Sequence, residues 1–242
     1  MTRARGRALA AAIALLVALA VAVALLARKP ASQPAGPGGA RPTLLLLTSL
    51  PLVFSEEFSL EGGSAALDAL ETRYRVVPIS VTDEAGLSNG RLLLMAHPRA
   101  QPPENLVALD QWIRDGGRVL LLADPMLEWA STRPLGDPLR APPMFADTGL
   151  LARWGLRLDA PDERGPESRR LGRFDLLTAS PGRLSGTCEI VADGLVARCR
   201  VGRGRATVVA DADLLNVDSG DRQGTQNLEA ILSELALLAR WP

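Results

Sequence analysis

The chain has 242 residues, 47% of them hydrophobic, and its 27 basic side chains are balanced by 27 acidic ones. The charge is uneven: residues 1–29 hold four arginines, one lysine and no acid, so residues 30–242 carry 22 arginines against 27 acids, a net charge of −5. This balance excludes a nucleic-acid-binding protein, because the folded part of such a protein is usually basic.

A long apolar run near the amino terminus predicts a membrane anchor. Residues 8–27 carry no polar side chain, and twenty residues at helical rise span roughly 30 Å, the thickness of the hydrocarbon core. Three arginines within residues 1–7 favour a cytoplasmic N-terminus and an exported remainder. A cleaved signal peptide is the alternative, but the run ends Leu-Leu-Ala at residues 25–27 and lacks the small-x-small pattern. We therefore expect a single-pass protein of the bacterial inner membrane with an uncleaved anchor.

A Pro/Gly-rich linker, residues 28–42, separates the expected anchor from one periplasmic domain, residues 43–242. In the first half of this domain, apolar runs typical of buried strands alternate with amphipathic helices. The predicted strands are residues 43–48, 74–79, 91–96 and 119–123, and the predicted helices are residues 62–73 and 103–115. This alternation predicts right-handed βαβ units and a parallel sheet in a three-layer α/β fold.

The pattern is less regular after Asp124. A Pro-rich loop to about residue 143 precedes a predicted helix at residues 146–154, a short strand and an exposed excursion at residues 160–173. A last strand at residues 205–210 is followed by a closing helix at residues 226–240. Its predicted inner face is apolar and consists of Leu228, Ile231, Leu232, Leu235 and Leu238.

Two cysteines flank a predicted β-hairpin. The dipeptide Asp193-Gly194, between two strand-like runs, is a strong signal for a two-residue primed turn. With that turn, residues whose numbers sum to 387 face each other, so Cys188 lies opposite Cys199 at a Cα distance of about 5.5 Å, within disulfide range. A disulfide is expected in the bacterial periplasm, in agreement with the anchor, and two buried thiols are the alternative.

The same register gives the hairpin an arginine-rich face. Glu189 lies opposite Arg198, which is a favourable cross-strand pair. Together with Arg200, Arg203 and Arg205, Arg198 could form a patch for anions or lipid headgroups. A solvated strand face paired with acids is the alternative, and we favour it.

Polar side chains at the ends of predicted strands are the possible binding residues. His97, the only histidine, follows one strand, Asp124 follows another, and Asp211 and Asp213 follow the last. Ligands of parallel sheets bind at that edge, so His97 could act as a general base and the aspartates could hold a divalent cation. We favour the interpretation that the aspartates cap helices and satisfy loop amides. With one histidine and no G-x-S-x-G motif, we assign no catalytic residue, no metal and no cofactor.

Two segments resemble the membrane-anchored auxiliary proteins of gliding-motility-type ABC transporters. They are Leu109–Pro125 (LDQWIRDGGRVLLLADP) and Gly204–Leu235 (GRATVVADADLLNVDSGDRQGTQNLEAILSEL). The first contains a helix that ends in Gly-Gly before a buried strand, and the second a strand followed by Asp-x-Asp, Asn and a helix. The resemblance implies a fold like that of class I glutamine amidotransferases, a flavodoxin-like, mainly parallel sheet in three layers, here with a C-terminal β-hairpin.

The amidotransferases carry a nucleophilic cysteine in the turn after a central strand, and the comparable turn here differs. It reads Leu122-Ala123-Asp124-Pro125 and contains neither cysteine nor serine. We therefore expect a non-catalytic, membrane-anchored periplasmic accessory or binding protein. Its expected partners are the membrane and the permease and ATPase subunits of an ABC-type transporter, and not nucleic acid. The alternatives are a hydrolase that uses His97 or an Asp-bound cation, and an envelope scaffold or sensor.

Overall fold

The computed structural model of the chain describes residues 41–53, 63–217 and 221–240. Within these ranges no helix combines the length and the apolar character that crossing a bilayer requires. The predicted anchor at residues 8–27 and the N-terminal segment at residues 1–7 lie outside the described residues.

The described residues form the predicted strands and helices and, in addition, a helix at Glu84–Leu87 and strands at Pro166–Leu171, Phe174–Ala179 and Arg183–Gly186 that the sequence analysis did not predict. The strands are β1 (Thr43–Thr48), β2 (Arg75–Pro78), β3 (Leu92–Ala96), β4 (Arg118–Leu122), β5 (Leu156–Asp159), β6 (Pro166–Leu171), β7 (Phe174–Ala179), β8 (Arg183–Gly186), β9 (Glu189–Val191), β10 (Val196–Val201) and β11 (Gly204–Val209). The α-helices are α1 (Ala65–Arg73), α2 (Glu84–Leu87), α3 (Pro103–Arg114), α4 (Leu150–Arg153) and α5 (Arg222–Ala239).

The central sheet has seven strands in the order β2-β1-β3-β4-β11-β10-β9. The strands from β2 to β11 in this order are parallel, whereas β10 runs antiparallel to both β11 and β9. The prediction of an α/β fold with a mainly parallel sheet and a C-terminal hairpin is therefore confirmed. Two further pairs, β5 with β8 and β6 with β7, form small antiparallel sheets beside it.

Alternating side chains of each central strand pack into two different hydrophobic cores. In β1, Leu44 and Leu46 belong to the core under α1 and α5, and Leu45 and Leu47 belong to the core under α3 and α4. All four leucines are at most 4% exposed. Successive side chains of a strand point to opposite faces, so a continuous leucine run requires a cover on both. The result is a sheet between two helical layers.

Side-chain caps set the start of the two helices that cover one face. The Ser64 hydroxyl accepts a hydrogen bond from the backbone N–H of Leu67 at the start of α1. Asp221 accepts bonds from the N–H groups of Gln223 and Gly224 at the start of α5. Helix α5 therefore begins four residues before the predicted position, because this aspartate cap compensates for the low helix propensity of Gly224.

The structure corrects the prediction for residues 160–173 and shortens one helix. Residues 160–173 are largely exposed, as predicted, but they contain β6, which forms a hairpin with β7, and Leu171 and Leu176 of this hairpin pack into the core under α1 and α5. Strand β6 has one buried apolar side chain among polar ones, so its periodicity was too weak to predict a strand. The helix predicted at residues 146–154 is reduced to α4, because Gly149 precedes it with a φ of +95°.

The predicted disulfide and hairpin register are confirmed. Cys188 and Cys199 are bonded, and their Cα atoms lie 4.8 Å apart. Arg198 pairs with Glu189, as the sum of 387 requires. Asp193 and Gly194 have φ angles of +53° and +91°, which is the primed-turn conformation that this dipeptide predicts.

Replacing both cysteines with alanine should lower the free energy of unfolding by about 3 kcal/mol, because the bridge restrains a short loop in the unfolded chain. The two residues are 11 positions apart. Urea unfolding followed by tryptophan fluorescence measures the difference. Wild-type protein in a reducing buffer is the control and should lose a similar amount, and equal stability of the oxidised wild type and the variant would contradict the prediction.

Candidate functional site

Three aspartates meet at the edge of the sheet where the parallel strands end. Leu122 of β4 lies opposite Val209 of β11, and this register, carried two residues further, places Asp124 beside Asp211. Asp213 follows in a 3-10 turn, Asp213–Leu215. One carboxylate oxygen from each of the three residues lies within 4.8 Å of the other two. The structure thus brings together the three aspartates that the sequence places at strand ends.

Backbone amides from three loops bind these carboxylates. The two oxygens of Asp124 accept hydrogen bonds from the N–H groups of Met126 and Ala212, both at 2.8 Å. Oδ2 of Asp211 accepts one from Ala179 at 2.8 Å, at the end of β7. These bonds hold the loops after β4, β7 and β11 at the aspartate cluster.

A further bond fixes the third carboxylate. Oδ2 of Asp213 accepts a hydrogen bond of 2.9 Å from the N–H of Glu128, in the loop after β4. The other oxygen of Asp211, Oδ1, is buried and has no hydrogen-bond partner among the described residues. This side chain is fully buried. Burying a carboxylate oxygen without a hydrogen bond costs free energy. The backbone amides therefore do not fully stabilise the negative charge of the cluster.

The electrostatics of the cluster oppose ionisation of all three groups. Burial raises the pKa of Asp124 to about 6 and that of Asp213 to about 7. Burial and the neighbouring carboxylate of Asp124 raise the pKa of Asp211 well above its ordinary value. Near neutral pH the cluster therefore requires positive charge, which a proton or a bound cation can supply.

His97 lies at the end of β3 but is not a member of this cluster. It is fully buried with a φ of +47°, and its Nε2 lies 2.8 Å from the carbonyl oxygen of Pro142. Burial lowers the pKa of its imidazole, so the ring is neutral and Nε2 donates to that carbonyl. The side chains close enough to share one ion are the three aspartates. His97 instead fixes the loop after β4.

This loop, residues 125–149, covers the sheet edge and exposes apolar side chains. It is attached by bonds from Phe145 N–H to the carbonyl of Asp124 at 2.6 Å and from Leu127 N–H to the carbonyl of Pro143 at 3.0 Å. Three of its large apolar side chains are more than half exposed: Leu135 (73%), Leu139 (68%) and Met144 (59%). These exposed side chains make the loop a candidate protein-binding surface.

A cavity of about 380 Å³ lies beside the same edge. It is lined by side chains from the ends of β1 and β2 and from the loops after β3 and β4, among them Thr48, Ser49, Ile79, Arg99, Arg133 and Leu139. Because β2 and β3 flank β1 on opposite sides, the cavity lies where the strand order reverses, the usual place for a ligand in such sheets. The sequence analysis did not predict this cavity, because no sequence pattern predicts the path of the loops that carry Arg99 and Arg133.

Acidic side chains pair with two arginines of the arginine-rich face of the hairpin. Nη2 of Arg198 lies 2.7 Å from Oε1 of Glu234 on α5, and its Nη1 lies 3.4 Å from Glu189. Arg203 pairs with Asp115 at 3.0 Å. Two of the four arginines therefore already have carboxylate partners, which favours the solvated, acid-paired face over an anion patch.

Comparisons with known proteins place this geometry in context. A family model described as "ABC-type uncharacterized transport system" matches residues 41–161, which is half of the 242-residue chain. No curated protein is significantly similar in sequence.

Solved structures with a similar fold include two with little sequence identity. The exo-β-1,4-mannosidase Op5Man5 from Opitutaceae bacterium strain TAV5 matches with a TM-score of 0.51 and 16% identity over 82% of this chain, which spans 36% of the enzyme chain. The mmIFT52 N-terminal domain matches with a TM-score of 0.51 and 11% identity, covering 80% of this chain and 97% of that domain. At these identities the similarity shows the fold alone.

The raised pKa values predict how stability depends on pH. Between about pH 5 and 7 in metal-free buffer, the folded cluster binds more protons than the unfolded chain, whose carboxyl groups have ordinary pKa values near 4. The contribution of the cluster to the free energy of unfolding should therefore fall as pH rises, by up to about 1.4 kcal/mol per pH unit for each proton. Asp213→Asn removes one such group and should make this fall shallower.

Chemical denaturation at several pH values measures this effect as the difference between wild type and variant. His97 has a lowered pKa, so its own contribution to the free energy of unfolding rises with pH below about pH 6.5. This contribution is the same in both proteins, and the difference between them therefore reports the effect of Asp213. Asp175→Asn, on the exposed side of β7, is the matched control and should retain the wild-type profile. The same pH dependence of the free energy of unfolding in wild type and Asp213→Asn would contradict the prediction.

Proposed function

Because the chain belongs to the family described as an ABC-type uncharacterized transport system, we propose that it is an accessory protein of such a transporter. In this proposal it contacts the permease, through which it assembles with the ATPase subunits, and it takes no part in catalysis. The family match carries the proposal, since it covers residues 41–161 and so includes β1 to β4 and the loop after β4.

The proposed topology is a single-pass anchor with a periplasmic domain. The supporting observations are the apolar run of residues 8–27, the arginines within residues 1–7, and the bond between Cys188 and Cys199. Structural disulfides persist in oxidising compartments such as the periplasm and are rare in the cytosol. Residues 28–42 then act as the linker, and residues 43–242 as the exported domain.

The proposed fold type is flavodoxin-like, as in class I glutamine amidotransferases, without their chemistry. The order of the first four strands and β11 in the sheet, with β1 between β2 and β3, is the flavodoxin-like order. The turn after β4 offers Asp124 and Pro125 where a nucleophile would stand. The single histidine, His97, is buried and neutral, which supports a non-catalytic role over the hydrolase alternative.

The loop after β4 is the proposed contact surface. Leu135 and Leu139 are exposed and belong to the segment that the family model matches, and Leu139 also lines the cavity at the strand-order reversal. Apolar side chains at the centre of an interface provide much of its binding free energy. The scaffold or sensor alternative, which relies on the arginine-rich face, has less support because Arg198 and Arg203 are already paired.

Extraction of the tagged full-length protein in mild detergent tests this function. Permease and ATPase subunits of an ABC-type transporter should co-purify with the wild type. The double variant Leu135→Asp, Leu139→Asp should recover them at least about 10-fold less, since each buried charge at an interface costs on the order of 1 kcal/mol or more.

The matched control is Val107→Asp on α3, because Val107 is 69% exposed and lies outside the proposed surface. It should co-purify the same subunits at the wild-type level. Recovery of the wild type without any transporter subunit would overturn the proposed function. Equal losses in both variants would overturn the contact surface.

A further inference from the structure

The three-aspartate cluster, Asp124, Asp211 and Asp213, brings carboxylate oxygens close enough together to bind one cation. Ca²⁺ binds oxygens at about 2.3–2.6 Å, so two oxygens on one ion can lie up to about 5 Å apart. Mg²⁺ binds at about 2.0–2.1 Å, which limits that separation to about 4.2 Å. One carboxylate oxygen from each of the three aspartates lies within 4.8 Å of the other two, and this upper limit is closer to the separation that Ca²⁺ allows than to the one that Mg²⁺ allows.

The unsatisfied oxygen of Asp211 is a second and independent indication of a ligand. Oδ2 of this carboxylate accepts a hydrogen bond from Ala179, and the backbone N–H of Asp213 also stabilises the charged carboxylate, but Oδ1 has no hydrogen bond of normal geometry although the whole side chain is inaccessible to solvent. Fully buried carboxylates without a complete set of hydrogen bonds are expected to be paired or to coordinate a metal. None of the described hydrogen bonds or salt bridges supplies a cation from Arg or Lys to the three carboxylates.

The amides that already bind the cluster do not block coordination. A carboxylate oxygen has two lone pairs, so an oxygen that accepts one hydrogen bond can still bind an ion. Both oxygens of Asp124, Oδ2 of Asp211 and Oδ2 of Asp213 are in this situation. The backbone thus positions the carboxylates, and the ion would neutralise them.

We propose that Asp124, Asp211 and Asp213 bind one divalent cation of the Ca²⁺ class. Three carboxylates supply three or more of the six to eight oxygens that Ca²⁺ requires, and carbonyls or water supply the others. The ion ties the ends of β4 and β11 together and, through the N–H of Glu128 on Asp213, holds the loop that carries Leu135 and Leu139. This site goes beyond the proposed function and does not depend on it, because it requires no transporter.

Calorimetric titration of the metal-free full chain with Ca²⁺ at pH 7.5 tests the site, with thermal unfolding as a second readout. One Ca²⁺ should bind per chain, and at 100 times the dissociation constant the Tm should rise by about 5–10 °C. Asp213→Asn should weaken binding at least about 10-fold, since it removes one of the three negative charges at the least buried of the three positions. Mg²⁺ at the same concentration should give a smaller Tm shift.

Asp175→Asn is the matched control and should bind Ca²⁺ like the wild type. If Asp213→Asn fails to fold, the stoichiometry and the Tm shift of the wild type still test the proposal. No binding by wild type at millimolar Ca²⁺ would overturn it and would leave a shared proton as the neutralising charge. Undiminished binding by a folded Asp213→Asn variant would overturn the assignment of the site.

Discussion

The parallel pairing of β4 with β11 is the constraint on which the rest of the structure depends. These strands join the first half of the sheet to the C-terminal hairpin, although they are separated by more than eighty residues of chain. Their side chains fill both cores, and Leu120, Leu122, Val208 and Val209 are fully buried. Without this pairing the disulfide-closed hairpin of β9 and β10 would have no sheet to extend.

The same pairing creates the chemistry of the sheet edge. It places Asp124 beside Asp211, and backbone amides from the loops after β4, β7 and β11 then converge on the carboxylates. Buried carboxylates so close together need a counter-charge, which makes this edge sensitive to protons and cations. The loop held by the cluster and by His97 is also the loop that exposes Leu135 and Leu139.

The sequence predicts the central fold well because its signals are local. The leucine run of β1, the primed turn at Asp193-Gly194 and the facing cysteines each lie within a dozen residues, and all three are confirmed. Strand β6 was missed because its pairing with β7, and not its own periodicity, makes it a strand. The site was predictable only in part: strand ends marked the aspartates, but their contact depends on which distant strand pairs with β4. The cavity depends on loop paths, for which the sequence has no signal.

Photocross-linking in intact cells tests most directly whether the loop at this edge contacts a transporter. A photoreactive amino acid at position 139 of the full-length protein, beside the cavity, reports contacts in the native membrane, and the same amino acid at position 107 on α3 is the reference. The account predicts cross-links from position 139 to a permease subunit of an ABC-type transporter and none from position 107. Cross-links from position 139 to no transporter subunit, in cells that express the transporter, would contradict it.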